Sequence, residues 1–218
     1  MRSRATNLGP RSTAPSLATE LQPELRQPVH ELPALAFQPV VSRKDSRLWN
    51  EYIQRYHYLG FTPLPEAQIR YFVTAQERLV ALLGFGASAW QTAPRDRFIG
   101  WTPQQRQDRL HLIVNNARFL ILSWVHCLGL ASKILGRIAR QLPFDWQSRY
   151  GYRRVLLETF VESPRFLGTS YRAANWIPVG QTQGRGKLGP AKKISVPIKD
   201  IWLYPLARNF RQILTQSL

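Results

Sequence analysis

The chain has 218 residues and carries 30 Lys and Arg against 13 Asp and Glu, a net charge of +17. A surface this basic seeks polyanions, nucleic acid first and anionic lipid second, the plainer alternative being a merely basic, ribosome-adjacent protein. A lone cysteine, Cys127, excludes an internal disulfide and fits a reducing cytoplasm, and His30, His57, His111 and His126 show no zinc-ligand spacing, so no metal is expected.

The apolar share of 44%, with 7 Trp, is enough for one sizeable core. The opening MRSRATNLGPRS lacks the apolar centre of a signal peptide. No membrane partner is expected, because a span needs about 20 apolar residues. The most apolar run, residues 119–131, is interrupted by His126 and Gly129.

Residues 1–44 hold six of the 16 prolines, which predicts a mobile or extended arm. The first element is a helix over DSRLWNEYIQRYHYLG. Asp45 or Ser46 can cap it, Leu48, Trp49, Tyr52, Ile53 and Tyr56 share one face, and Gly60 can end it. "IRYFVTAQ" and "RLVALLGFGASAW" read as a β-hairpin that turns near Gln76 and Glu77. Residues 93–107, with Pro94 and Pro103, read as a loop. Residues 117–125 read as a strand buried on both faces.

"GLASKILGRIARQL" has helical spacing at Leu130, Ile134, Leu135, Ile138 and Leu142. "RRVLLETFVE" is a second buried strand, "GTSYRAANW" a short helix, and "IPVGQTQ" and "DIWLYPL" two more strands. A strand–helix–strand unit needs a crossover, so strands 117–125 and 153–162 should be parallel neighbours. The fold class is α/β, with a mixed, mostly antiparallel central sheet and one parallel strand–helix–strand unit.

"RFLILSWVHCLGLASKIL", residues 118–135, suggests a function. If the strand ends near Val125, the chain turns through His126, Cys127, Leu128, Gly129, Leu130, Ala131 and Ser132 into a helix whose first N–H groups can cradle a pyrophosphate. A plain Gly-Ala helix start packed on the sheet explains the same residues.

Glu158, inside an apolar strand, must be paired or neutral. It is either a general base with a shifted pKa or half of a structural pair with Arg118. His57 is a second candidate base, or a packed histidine among tyrosines. "TQGRGKLGPAKK", residues 182–193, sets Arg185, Lys187, Lys192 and Lys193 in a Gly- and Pro-rich loop that can follow a phosphate backbone. In "RDRFIGW", Arg95, Arg97 and Trp101 can hold phosphate and stack on an unpaired base, and Arg118 is a further candidate for a nucleic-acid contact. A solvated basic face and a core Trp are the alternatives. From Ser163 onward there are 9 basic residues and one acid, Asp200.

Two family resemblances follow from these residues. Strand, loop and helix around His126, Gly129 and Ala131 resemble the acyl-CoA-binding core of the GCN5-related N-acetyltransferases, with His126 in place of the usual Gln or Arg. The string Ser170-Tyr171-Arg172-Ala173-Ala174-Asn175-Trp176 is similar to the family's Tyr-x-x-x-Gly-aromatic helix end, with Asn175 for Gly. The resemblance implies that fold over residues 45–218. It also implies acetyl-CoA or another acyl-CoA held by Ser123, Val125, His126, Leu128, Gly129, Leu130, Ala131, Ser132 and Asn175, and Tyr171 as general acid.

A longer string, with "RYHYLG", "RDRFIGW", "NNARFLIL", "DWQSRYGY", "LLETFVE" and "RFLGTSYRAANWIPVGQTQGRGK", resembles the Druantia anti-phage system protein A family. That implies a role in defence or mobile DNA, beside other proteins of such systems, and leaves the mechanism open. Three functions remain: a DNA-acting domain on an acetyltransferase-like fold, an acyl-CoA-dependent N-acyltransferase, and a non-catalytic scaffold with a repurposed cleft.

Overall fold

A computed structural model describes residues 16–64, 67–184 and 196–216. One seven-stranded sheet organises the chain. Its strands are β1 (Leu35–Pro39), β2 (Ile69–Ala75), β3 (Arg78–Ala87), β4 (Ile113–Ile121), β5 (Leu156–Glu162), β6 (Ile177–Gln181) and β7 (Lys199–Pro205), in the order β1-β2-β3-β4-β5-β7-β6. Every neighbouring pair is antiparallel except β4 and β5. This is the mixed sheet the sequence predicts, with its one parallel unit in the expected place. β4 lies four residues earlier than the strand read over 117–125, and β5 begins at Leu156.

The first helix, α1 (Arg43–Tyr56), buries Trp49, Tyr52 and Ile53, the face its spacing marks. Its cap is Ser42 rather than Asp45 or Ser46: the Ser42 side chain accepts from the Asp45 N–H at 3.0 Å. Helix α4 (Leu130–Tyr150) is the crossover between β4 and β5 and buries Leu130, Ile134, Leu135, Ile138 and Leu142, then Trp146 a turn beyond. α1 and α4 close the larger core over β1 to β5. A smaller core gathers Ile99, Trp101, Phe210 and Leu214 against Ile113, Leu156 and Leu203.

Two expectations are corrected here. The proline-rich segment is no free arm over the described residues 16–44. β1 pairs with β2 from Leu35↔Ala75 to Pro39↔Tyr71 and forms the sheet edge. Proline is tolerated there because an edge strand needs only half of its ladder bonds. Residues 93–107 are not a loop but hold α2 (Ala93–Ile99) and the start of α3 (Pro103–Arg109). Their prolines sit in first turns, where a missing N–H costs nothing, and Thr102 with Gln105 forms a reciprocal capping box. A further helix, α6 (Phe210–Thr215), carries Phe210 and Leu214 into the smaller core. No described helix is long and apolar enough to cross a membrane.

Removing the α1 cap by Ser42→Ala should cost about 1 kcal/mol, read as a lower urea midpoint with an unchanged slope. An unchanged midpoint would show that the cap contributes nothing.

Candidate functional site: the split between two parallel strands

β4 and β5 pair over only three positions, Ile113↔Leu156, Val114↔Leu157 and Asn115↔Glu158. Beyond them the strands part. The Thr159 hydroxyl spans the gap just past the last pair, donating to the Asn116 carbonyl at 3.0 Å. Two clefts open on this split, and Leu59, Asn116, Ala117 and Phe160 line both.

The first cleft, of about 440 Å³, runs from Ala131 at the start of α4 to Tyr171 on α5 (Thr169–Ala173). The Tyr171 hydroxyl donates to Asn116 Oδ1 at 3.1 Å. Burial pushes its pKa up to about 12, so it keeps its proton at neutral pH. Its ring is wedged edge-on against Trp176 and packs beside Trp202. Gly168, at φ +65°, starts α5, and a Cβ there would lie 2.5 Å from Trp202, so only glycine lets α5 approach the sheet this closely. Asn175, at φ +62°, takes the left-handed helix end expected of it, but it lines neither cleft.

His57 also faces the first cleft. Its Nδ1 accepts from the Leu59 N–H at 3.2 Å, which leaves the proton of the neutral ring on Nε2. Burial and the nearby Arg118 charge depress its pKa to about 4. At neutral pH it is therefore an uncharged N–H donor, poorly suited to the base role considered above.

Glu158 does not reach either cleft. Its side chain is wholly buried, with Oε2 accepting from Arg95 at 2.8 Å and Oε1 from the Ala89 N–H at 2.9 Å. Burial raises its pKa, and Arg95 pulls the other way. Its partner is thus Arg95 and not Arg118, because α2 brings Arg95 under the sheet. This also corrects two nucleic-acid assignments. Arg95 is 0% exposed and also binds Asp96 and the Ala89 carbonyl. Trp101 is buried in the smaller core with Arg95 against its ring. Neither is free to touch phosphate or base.

The loop before α4 is only partly open. Leu25 lies beside Val125 as a parallel bridge, donating to the Trp124 carbonyl at 2.8 Å and accepting from the His126 N–H at 2.9 Å. Lys133 donates to the Val29 carbonyl, and the Val29 side chain touches the face of Gly129, which has φ +81°. Residues 25–29 therefore strap the loop and occupy the backbone amide of His126, one of the predicted cradle residues. The Ala131 and Ser132 N–H groups find no acceptor among the described residues. Of the predicted cradle residues, Ala131 alone lines the first cleft. Leu130 and Val125 are core, Ser123 is exposed, and Leu128 projects outward at 93% exposure.

The second cleft, of about 930 Å³, is lined by Arg97, Arg118 and Lys199 and, among the described residues, by no carboxylate. Arg118 is half-buried, donates to the Ala117 carbonyl at 2.8 Å, and has no carboxylate partner among the described residues. Arg185, Lys187, Lys192 and Lys193 lie outside the described residues, but the chain flanking them, at Gly184 and Val196, lines this cleft. Asn115, Asn116, Thr159 and Lys199 escaped the sequence reading. The adjacent asparagines, mid-strand between apolar residues, were the signal available.

The architecture is that of the GCN5-related N-acetyltransferases. Two solved structures similar to it are a point mutant of the spermidine N-acetyltransferase SpeG from Vibrio cholerae and a chimera of that enzyme with hSSAT. The mutant has a TM-score of 0.51 at 11% identity, over 81% of this chain and 95% of that one. The chimera has a TM-score of 0.50 at 11% identity, over 79% and 95%. A comparison with curated proteins returned no significant sequence match. Residues 11–195 match the family model described as Druantia protein DruA, and the chain belongs to that family.

Arg95→Ala should cost about 3–5 kcal/mol by stranding the buried Glu158 charge. Replacing both residues by Met should recover most of that loss. Equal melting temperatures for wild type and Arg95→Ala would refute the pairing.

Proposed function

We propose that this DruA-family protein serves phage defence or a mobile element in the cytoplasm, alongside other proteins of such a system, and that its acetyltransferase-fold domain acts on DNA. The observation that carries this reading is the acid-free second cleft with Arg97, Arg118 and Lys199 on its walls. Against a chain charge of +17, a large concave surface with no carboxylate among its described lining residues suits a polyphosphate ligand and repels a cationic one. The basic residues of the 182–193 segment, whose described neighbours Gly184 and Val196 line the same cleft, would add phosphate contacts.

Acyl transfer is a second reading, favoured by Tyr171, a protonated phenol at the end of the first cleft. A bound acetyl-CoA or other acyl-CoA supplies an activated acyl group as its thioester. The Ala131 and Ser132 amides would hold its phosphate arm, with the His126 amide already spent on Leu25. Tyr171 would hold the proton destined for the leaving thiolate. The acceptor would be a small amine, a protein or a nucleobase.

Titration with duplex DNA should show affinity falling by about 40-fold from about 50 to 200 mM salt if three phosphates are neutralised. Arg97→Glu and Lys199→Glu should each weaken it further. Salt-independent binding, or none, would overturn the DNA reading. For the second reading, calorimetry with acetyl-CoA comes first. Tyr171→Phe should then lower turnover about 100-fold with acetyl-CoA affinity intact. An absence of acetyl-CoA binding leaves the scaffold alternative.

A further inference from the structure

The floor of the second cleft carries two unmet demands. Arg118 is a half-buried cation with no carboxylate partner among the described residues, and its Nε is buried without an acceptor. Asn115 Oδ1, on the same strand, is buried without a donor among the described residues. Leaving the Nε of a half-buried cation and a buried amide oxygen without partners on one strand is costly, and such groups point to a ligand, ion or water that completes them. Asn115 is also the last β4 residue paired to β5, so both groups lie where the strands begin to part. Phe160, on the other side of the split, lines both clefts.

A ligand that answers this floor needs an anion for Arg118, an N–H for Asn115 and a flat apolar body for Phe160. An unpaired adenine, cytosine or guanine nucleotide has all three: a phosphate, an exocyclic amine and a base that stacks. A paired base presents its Watson–Crick amine to its own partner and keeps its faces inside the stack. We infer that the β4–β5 split seats one unpaired nucleotide, its phosphate at Arg118 and its base amine at Asn115. This rests on the DNA-directed reading and adds that the substrate is single-stranded or flipped. The base would enter beside Asn116, whose Oδ1 accepts from the Tyr171 hydroxyl, so the seat adjoins Tyr171 of the first cleft.

The test uses the full chain with dA, dC and dT homopolymers, single-stranded and as a duplex of mixed sequence, at one salt concentration. Single strands should bind at least tenfold more tightly than duplex. Arg118→Gln should remove that advantage, weakening single-strand binding at least tenfold more than it weakens duplex binding. Arg118→Lys, which keeps the charge and loses the fork, should restore part of it and guards against a folding defect in the first variant. Asn115→Ala should abolish any preference for dA and dC, which carry the amine, over dT, which lacks it. Salt-sensitive binding that treats single strands and duplex alike would overturn this seat and leave the DNA reading standing. Single-strand binding unchanged by Arg118→Gln would also overturn it. Failure of every DNA to bind would remove both.

Discussion

The Arg95–Glu158 ion pair sits where the sheet divides and ties together the elements that meet there. Glu158 occupies the last position at which β5 pairs with β4. A carboxylate buried there is tolerable only with a cation and an N–H donor against it. Arg95 supplies the first and Ala89 the second, and Arg95 in turn binds the Ala89 carbonyl. The pair thereby locks the chain leaving β3, the position of α2, and the closed end of the split in one network. Past it the strands are free to part, and both clefts exist because they do.

The two clefts differ in chemistry because different elements wall them. α5 and the end of α1 bring tyrosines and His57 to the first, where burial keeps the phenol protonated and the imidazole neutral. The polar turn beyond β3, the start of α2 and the ends of β6 and β7 bring cations and amides to the second. Arg118 links them electrically. It lines the second cleft, and its charge helps to depress His57 in the first. A ligand that neutralised Arg118 would ease that depression.

Much of the fold was legible in local pattern. The α1 and α4 faces, the hairpin and the crossover follow from the spacing of apolar residues, and all four are present. The two larger errors, the arm and the loop, share one cause: proline was read as a breaker without regard to position. Pro39 on an edge strand and Pro94 and Pro103 in first helical turns are harmless, and only the assembled sheet reveals which position each holds. The site was less legible. Tyr171 and Ala131 could be placed from their flanking residues, whereas Glu158 and Arg118 required the partner that tertiary packing selects. Arg95 lies 63 positions from Glu158 in the sequence, and no local signal joins them.

The strap at Leu25 carries a kinetic consequence. Its bridge to Val125 joins chain segments about a hundred residues apart and consists of two backbone bonds with a few side-chain contacts. Closing so long a loop has a high entropic cost for a small local return. Such contacts form late in folding and are among the first to open in the native state. The His126 amide should therefore exchange its hydrogen with solvent well before the amides of β3 do, and the start of α4 should spend part of its time uncovered while the sheet beneath it stays intact.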